Sequence, residues 1–175
     1  MKHVLALVLL LCAGASHSAD PVLVVDLSEA YTRSTALAGL LADVDQELQA
    51  LAQRHRPELE RLSAEMRELK QTGAATRDRQ LQLIRRINEI DTQAEREQER
   101  LSEANQRAIA EVDAAIAEVK QLLKSERNAA AVLDIQETQY VRPDCECMVS
   151  DDLYRLLNER LPKVVLDLER TDARS

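Results

Sequence analysis

Residues 37–69 read LAGLLADVDQELQALAQRHRPELERLSAEMREL. Apolar side chains recur at Leu37, Leu41, Val44, Leu48 and Leu51 and, past His55, at Leu59, Leu62, Met66 and Leu69. The steps alternate between three and four residues, with one extra step of four at His55. This is a heptad seam with a single stutter, the pattern of a helix that packs along another helix. A helix running from Leu27 to Leu69 has a length of roughly 65 Å at the standard rise per residue.

A second seam follows at Ile84, Ile87, Asp91, Ala94, Gln98, Leu101, Asn105, Ala108, Val112, Ile116, Val119 and Leu123. Between the two seams the pattern breaks at Gln71–Thr76. Gly73 tolerates the left-handed conformation that ends helices, and Thr76 is a residue of the N-cap type. So short a connection makes the helices antiparallel neighbours. Folding about Gly73–Ala75 sets Leu48 opposite Leu101, Met66 opposite Gln82 and Ala52–Pro57 opposite Asp91–Arg100.

Short apolar runs bracket this hairpin. Val22-Leu23-Val24-Val25-Asp26 follows Pro21 and reads as a buried strand, with Ser28 and Glu29 opening the helical region. Ala131-Val132-Leu133-Asp134-Ile135 is a second strand, and Gln139-Tyr140-Val141, ended by Pro143, a third. Ser150 is expected to cap a last amphipathic helix carrying Leu153, Leu156, Leu157 and Leu161 on one face. The expected organisation is a β-rich body from residues 20–36 and 126–168 and a helical arm over 37–125 with its tip near 70–79. A loose tail follows at 169–175. Strands this short with one helix enclose little interior, and small bodies of this kind gain stability by association.

The N-terminus reads as an export signal of residues 1–19. Lys2 precedes the apolar run Val4–Cys12, and small residues follow at Ala13, Ala15, Ser16, Ser18 and Ala19. The run is about half the length of a membrane span of roughly 20 residues. Cleavage after Ala15 satisfies the A-x-A pattern, and cleavage after Ala19 places His17 at the −3 position. A lipoprotein signal at Cys12 is disfavoured by Leu11 before it. Export places the chain in the periplasm.

The sequence carries 23 basic and 31 acidic residues, and loss of Lys2 with the signal leaves a net charge of −9. That balance argues against general nucleic-acid binding, which requires a cationic surface. Aromatic residues make up 2%, with no Trp or Phe, and there are three glycines and three histidines. Such a chain offers little for a His-based triad, a zinc site or a glycine-rich phosphate loop, and no cofactor or enzymatic activity is expected. Acidic pairs such as Asp151-Asp152 read as first-turn helix residues favoured by the helix dipole. Cys145 and Cys147 remain after export, and three states are open to them: a bridge within Cys145-Glu146-Cys147, a bridge between chains, or free thiols.

Two features of the arm stand out as candidate sites. Seven basic residues lie between Arg61 and Asn88 against three acidic ones, a local charge of +4 that falls to +2 once Glu60 and Glu89 are added. Lys70, Arg77, Arg79, Arg85 and Arg86 are the candidates there for binding an acidic client, lipopolysaccharide or an anionic membrane surface. The alternative is an ordinary solvated helix face. Halfway along the arm, His55 and Pro57 coincide with the stutter and with polar residues on the facing helix. Pro57 removes a helical hydrogen bond, so His55 and Pro57 are candidates for a hinge; a straight pair of helices is the alternative.

Taken in order, these pieces resemble the Skp/OmpH family of periplasmic chaperones. The likeness rests on the export signal, the opening strand Val22–Asp26, the long hairpin and the returning strands Val132-Leu133-Asp134 and Tyr140-Val141. It extends to Met148-Val149-Ser150-Asp151-Asp152-Leu153-Tyr154-Arg155-Leu156-Leu157-Asn158, similar to the family's Asp-Ile-Thr-Asp-Glu-Val…Leu-Asn ending. The resemblance implies a mainly α chain with a small β body, in which a long antiparallel helical hairpin stands as a coiled-coil arm on a short-stranded sheet that trimerises. It also implies ATP-independent holding of unfolded outer-membrane proteins between the arms of a homotrimer, with no catalytic residues. The acidic charge and the Asp144-Cys145-Glu146-Cys147 segment depart from the family pattern. A second reading is a structural or adaptor hairpin of an envelope secretion or efflux assembly.

Overall fold

The computed structural model describes residues 20–72, 77–138 and 145–169. The export signal, Gly73 and Thr76 of the expected turn, the expected strand Gln139–Val141 and residues 170–175 lie outside these ranges. The described elements are β1 (Val22–Val25), α1 (Ala30–Arg33), α2 (Thr35–Thr72), α3 (Arg77–Glu126), β2 (Ala131–Asp134), a 3-10 turn (Ile135–Glu137) and α4 (Ser150–Arg160). A long helical hairpin, α2 and α3, thus rises from a small two-stranded sheet, as the heptads and flanking runs predict.

β1 and β2 pair in parallel, Val22 with Ala131 through Val25 with Asp134. On its other side β1 meets the segment before α4. Val24 N–H donates to the Cys147 carbonyl at 2.8 Å, and Val149 N–H donates to the Val24 carbonyl at 2.9 Å. β1 is therefore the middle of the sheet, and Leu23, Val24 and Val25 are buried. Each strand has four residues, one fewer than the sequence reading. Asp26 leaves the ladder to accept from Ser28 N–H and Oγ at 2.9 and 2.6 Å, a side-chain-closed turn. Ile135 opens the 3-10 turn, whose Gln136 N–H donates to the Asp134 carboxylate while Asp134 N–H donates to the Glu137 carboxylate, a reciprocal cap.

The helical region does not run unbroken from Leu27. Ser34 is extended at φ −88 and ψ 119 and separates α1 from α2. Its buried hydroxyl accepts from Leu37 N–H at 3.3 Å, capping α2. Asn158 of α4 closes the break from outside: its Oδ1 accepts from Thr35 N–H and its Nδ2 donates to the Arg33 carbonyl, each at 2.9 Å. Backbone groups left over at the kink are thus satisfied by a side chain from the end of the chain.

The seam keeps its expected register from Leu101 to Leu123 and at Leu37 and Leu62, but shifts in the tip-ward part of α3 and at Leu41. In α3 the buried positions are Leu83, Ile90, Leu101, Ala104, Ala108, Val112, Val119 and Leu123, whereas Ile84 and Asp91 are exposed. Turning the helix this way buries Ile90 and leaves Asp91 and Gln98 in water, avoiding the cost of an unpaired buried charge. In α2, Leu40 is buried beside Leu37 and Ala36, and Leu41 is exposed. These three belong to the core that also holds β1, α4 and the base of α3, so the base of α2 follows the body rather than a two-helix seam.

α4 begins at Ser150 with Val149 as its cap residue and no side-chain cap. Ser150 Oγ instead accepts from Asp26 N–H at 2.9 Å, so the expected N-cap is a tie to the end of β1. The buried face of α4 is Leu153, Tyr154 and Leu157; Leu156 and Leu161 are half-buried. Tyr154 donates its hydroxyl to the Asp26 carbonyl at 2.7 Å, and the Arg33 guanidinium lies over its ring at 4.6 Å. One core joins β1, α1, the bases of α2 and α3, α4 and Val164. The base of the hairpin thickens the interior that strands and last helix would otherwise leave thin.

Beyond α4 the chain continues as an extended strap. Val164 is buried, Leu166 packs against the core, and Arg107 Nη2 donates to the Asp167 carbonyl at 3.1 Å. Its apolar residues Val164, Val165, Leu166 and Leu168 lie too close together to show a helical period, and the strap takes its partners from α3 and the core.

Burial pushes the Tyr154 hydroxyl up to about 12, above the usual value near 10. A raised acid pKa stabilises the fold fully below the unfolded value and loses that contribution as pH rises through the folded one. Chemical denaturation between about pH 10 and 12 should therefore show a loss of stability that is smaller in Tyr154→Phe, which cannot ionise. At neutral pH the same variant should be destabilised by about 1 kcal/mol for the lost hydrogen bond.

Candidate functional site

The exposed side of the hairpin is where this chain departs most from a packed domain. Leu41 and Leu48 on α2 are 52% and 41% exposed, and Leu81 and Ile84 on α3 are 43% and 46% exposed. Leu41 and Leu48 lie two turns apart and share a face. Leu41, Leu48 and Ile84 were expected in the seam; Leu40 and Leu83 are buried in place of Leu41 and Ile84, whereas neither sequence neighbour of Leu48 is buried.

At the tip the five candidate cations separate into two groups. Arg79 Nε donates to Glu65 Oε1 at 2.9 Å. Arg86 contacts Glu58 at 3.0 Å and Glu89 at 3.1 Å, with Glu58 the main cause of its raised pKa. Lys70, Arg77 and Arg85 form no ion pair with another described residue. Exposed pairs of this kind contribute little to stability, but they lower the positive field that Arg79 and Arg86 offer a ligand. Glu58 lies just outside the window of charge counted along the sequence, and pairing across the hairpin brings it in.

At the waist, His55 is 9% exposed. Its Nε2 lies 3.3 Å from Glu97 Oε2, which also accepts from Arg54 Nη1 at 2.5 Å. Gln93 Nε2 donates to the other oxygen of Glu97 at 2.9 Å. Glu97 falls within the stretch expected to face Ala52–Pro57, although nothing in the sequence singles it out from Glu95 or Glu99. Pro57 is exposed and lies inside α2, which continues through it. The waist separates two apolar clusters. The distal one contains Leu62, Leu83 and Ile90 with Leu59, Met66, Leu69 and Ile87, and the proximal one is the core of the body. Beside the waist, Leu168 of the strap joins Leu51, Leu101, Arg54 and Glu97 around a cavity of about 200 Å³.

The described residues hold no cluster of His, Cys, Asp or Glu able to bind a metal, and no described helix is long and apolar enough to cross a membrane. Of the three states open to the cysteines, the structure has the first: Cys145 and Cys147 are bridged to each other, their Cα atoms 5.0 Å apart across a tight turn.

The Glu97 carboxyl is held below its usual range, first by the Gln93 amide, against burial, then by His55 and Arg54. A depressed carboxylate stabilises the fold above its unfolded pKa, and the contribution is lost as pH falls through the folded one. Acidification below about pH 4 should therefore weaken the arm, and Glu97→Gln should flatten that dependence in thermal unfolding followed by circular dichroism. Equal acid sensitivity in the variant would separate Glu97 from the stability of the waist.

No family model matches the sequence, and no curated protein matches it. Comparison with solved structures finds the crystal structure of a candidate outer membrane chaperone, OmpH-like, from Caulobacter crescentus CB15. The two superpose with a TM-score of 0.65 at 17% identity, over 89% of this chain and 94% of that one. At this identity the likeness is one of fold: the chain is built on the architecture of an OmpH-like protein.

Proposed function

We propose that this chain is an ATP-independent periplasmic holdase of the Skp/OmpH kind that keeps unfolded outer-membrane proteins soluble between helical arms. The observation that carries the reading is the hairpin itself, a long arm that leaves Leu41, Leu48, Leu81 and Ile84 in solvent on a fold shared with a candidate outer membrane chaperone. Unfolded barrel proteins expose apolar strands with unpaired edges. Many weak apolar contacts along several arms would keep such chains apart without a pocket for each.

The arms are brought together by trimerisation through the body. Among the described residues β2 pairs with a strand on one side alone, and its four residues are half-buried. A free edge of apolar residues is a ready template for a neighbouring chain. Lys70, Arg77 and Arg85 at the tip are the residues proposed to meet an acidic client or anionic headgroups. Arg79 and Arg86 are weaker contributors because Glu65, Glu58 and Glu89 already face them. His55 and Pro57 are the proposed hinge, supported by the interruption of the apolar seam at that level. The export signal supports a periplasmic location.

Four measurements test these statements. Light scattering of the secreted chain should give the mass of a trimer at low micromolar concentration, and suppression of aggregation of a denatured outer-membrane barrel should saturate near one trimer per client. A stable monomer removes the cage, and a trimer without suppression favours the adaptor reading. Arg85→Glu should weaken binding to anionic vesicles several-fold more than Arg86→Glu, and equal losses would remove the division of the tip into free and paired cations. Amide exchange should be faster over residues 52–57 than over 44–50, and equal rates would eliminate the hinge.

A further inference from the structure

Cys145 and Cys147 are joined across a single residue, and both are partly exposed. A bridge that closes so short a loop removes few conformations from the unfolded chain, and it connects no two elements of the fold. The turn is positioned without it. Val24 N–H donates to the Cys147 carbonyl, Val149 N–H to the Val24 carbonyl, and Met148 N–H to the Cys145 carbonyl at 3.1 Å. These main-chain bonds hold the segment on β1 without involving either sulfur.

The two sulfurs differ in their surroundings. Cys147 N–H donates to Cys145 Sγ at 3.2 Å, and no described group donates to Cys147 Sγ. A donor on a sulfur stabilises its thiolate, and the sulfur with the more stable thiolate is the better leaving group in exchange. The bridge therefore has a direction built into it, with Cys147 as the sulfur to be attacked and Cys145 as the one that departs.

We propose that Cys145–Cys147 is a thiol–disulfide exchange site that passes its disulfide to a polypeptide dithiol. A substrate thiolate attacks Cys147 Sγ, the Sγ–Sγ bond breaks, and its electron pair leaves on Cys145 Sγ, where the Cys147 N–H holds it. The second substrate thiolate then attacks the substrate sulfur of the mixed disulfide, and Cys147 leaves as a thiolate. The substrate is oxidised by two electrons to a disulfide. Cys145 and Cys147 are reduced to thiols and take up the two protons the substrate thiols gave up. Exposed Glu146 between the cysteines adds a negative charge that favours substrates with basic residues beside their cysteines.

The test uses the oxidised full chain and a short peptide carrying two cysteines flanked by lysines, followed by acid quench and mass spectrometry. One-for-one transfer is expected, the peptide losing two hydrogens as the protein gains two. A peptide that stays reduced for hours with tenfold excess protein overturns the proposal. The variant with Cys145→Ser and Cys147→Ser should lose transfer completely while unfolding at the wild-type temperature, since the main-chain bonds remain; undiminished transfer also overturns it. In single variants, thiolate absorbance should place the ionisation of Cys145 in Cys147→Ser below that of Cys147 in Cys145→Ser, and the reverse order refutes the assigned direction. The peptide is too short to be a holdase client, so failure here leaves the proposed function standing, and loss of holdase activity leaves exchange standing.

Discussion

Parallel pairing between β1 and β2 is the constraint on which the rest of the structure depends. Parallel strands cannot be joined by a tight turn, and the chain must travel back before the second strand begins. In most folds that return is one helix lying on the sheet. Here it is residues 26–130, folded into a hairpin that stands away from the sheet. β1 then takes a third segment, Cys147–Val149, on its other edge. Two parts of the chain that are remote in sequence are thus held to the four residues of β1, of which Val25 is wholly buried. Asn158 and Tyr154 of α4 complete the arrangement by bonding to Arg33, Thr35 and Asp26, where the sheet gives way to the arm.

The arm is stabilised unevenly as a consequence. Near the body, α2 and α3 share their apolar faces with the sheet, α4 and Val164. Past the waist they have one another and a small cluster around Leu62, Leu83 and Ile90. Between these regions His55, Arg54, Gln93 and Glu97 exchange hydrogen bonds instead of apolar contact. Segments with few buried apolar contacts open at lower free energy than the core. In this arm that description fits the middle better than the base, which is the observation behind the proposed hinge.

How much of this was legible beforehand depends on how local each signal is. The two heptad runs, the single break between them and the flanking β-branched stretches are local patterns, and they were sufficient for the hairpin, the two strands and α4. The rotation of the seam was not legible, because Ile84 and Leu83, or Leu41 and Leu40, are equally apolar. What separated them was the neighbour each would meet, including the cost of turning Asp91 inward. The tip charges were visible as a cluster, but their division into paired and free required Glu58, Glu65 and Glu89 to be placed across the hairpin. Tyr154, Ser34 and Asn158 carry tertiary hydrogen bonds whose partners are more than a hundred residues away or lie at a break in the helix. The strap around Val164 had no periodicity to announce it.

The sequence by itself determined the kind of molecule: an acidic, nearly aromatic-free chain with a long two-helix arm and a small strand-bearing base. Periodicity, charge and composition are properties of the chain alone, so they survive without coordinates. Tertiary structure decided which face of each helix is buried, which tip cations pair across the hairpin, where β1 sits in the sheet and that Cys145 bonds to Cys147. Each of those outcomes is a choice between residues of similar chemistry, and the choice is made by what lies opposite in space.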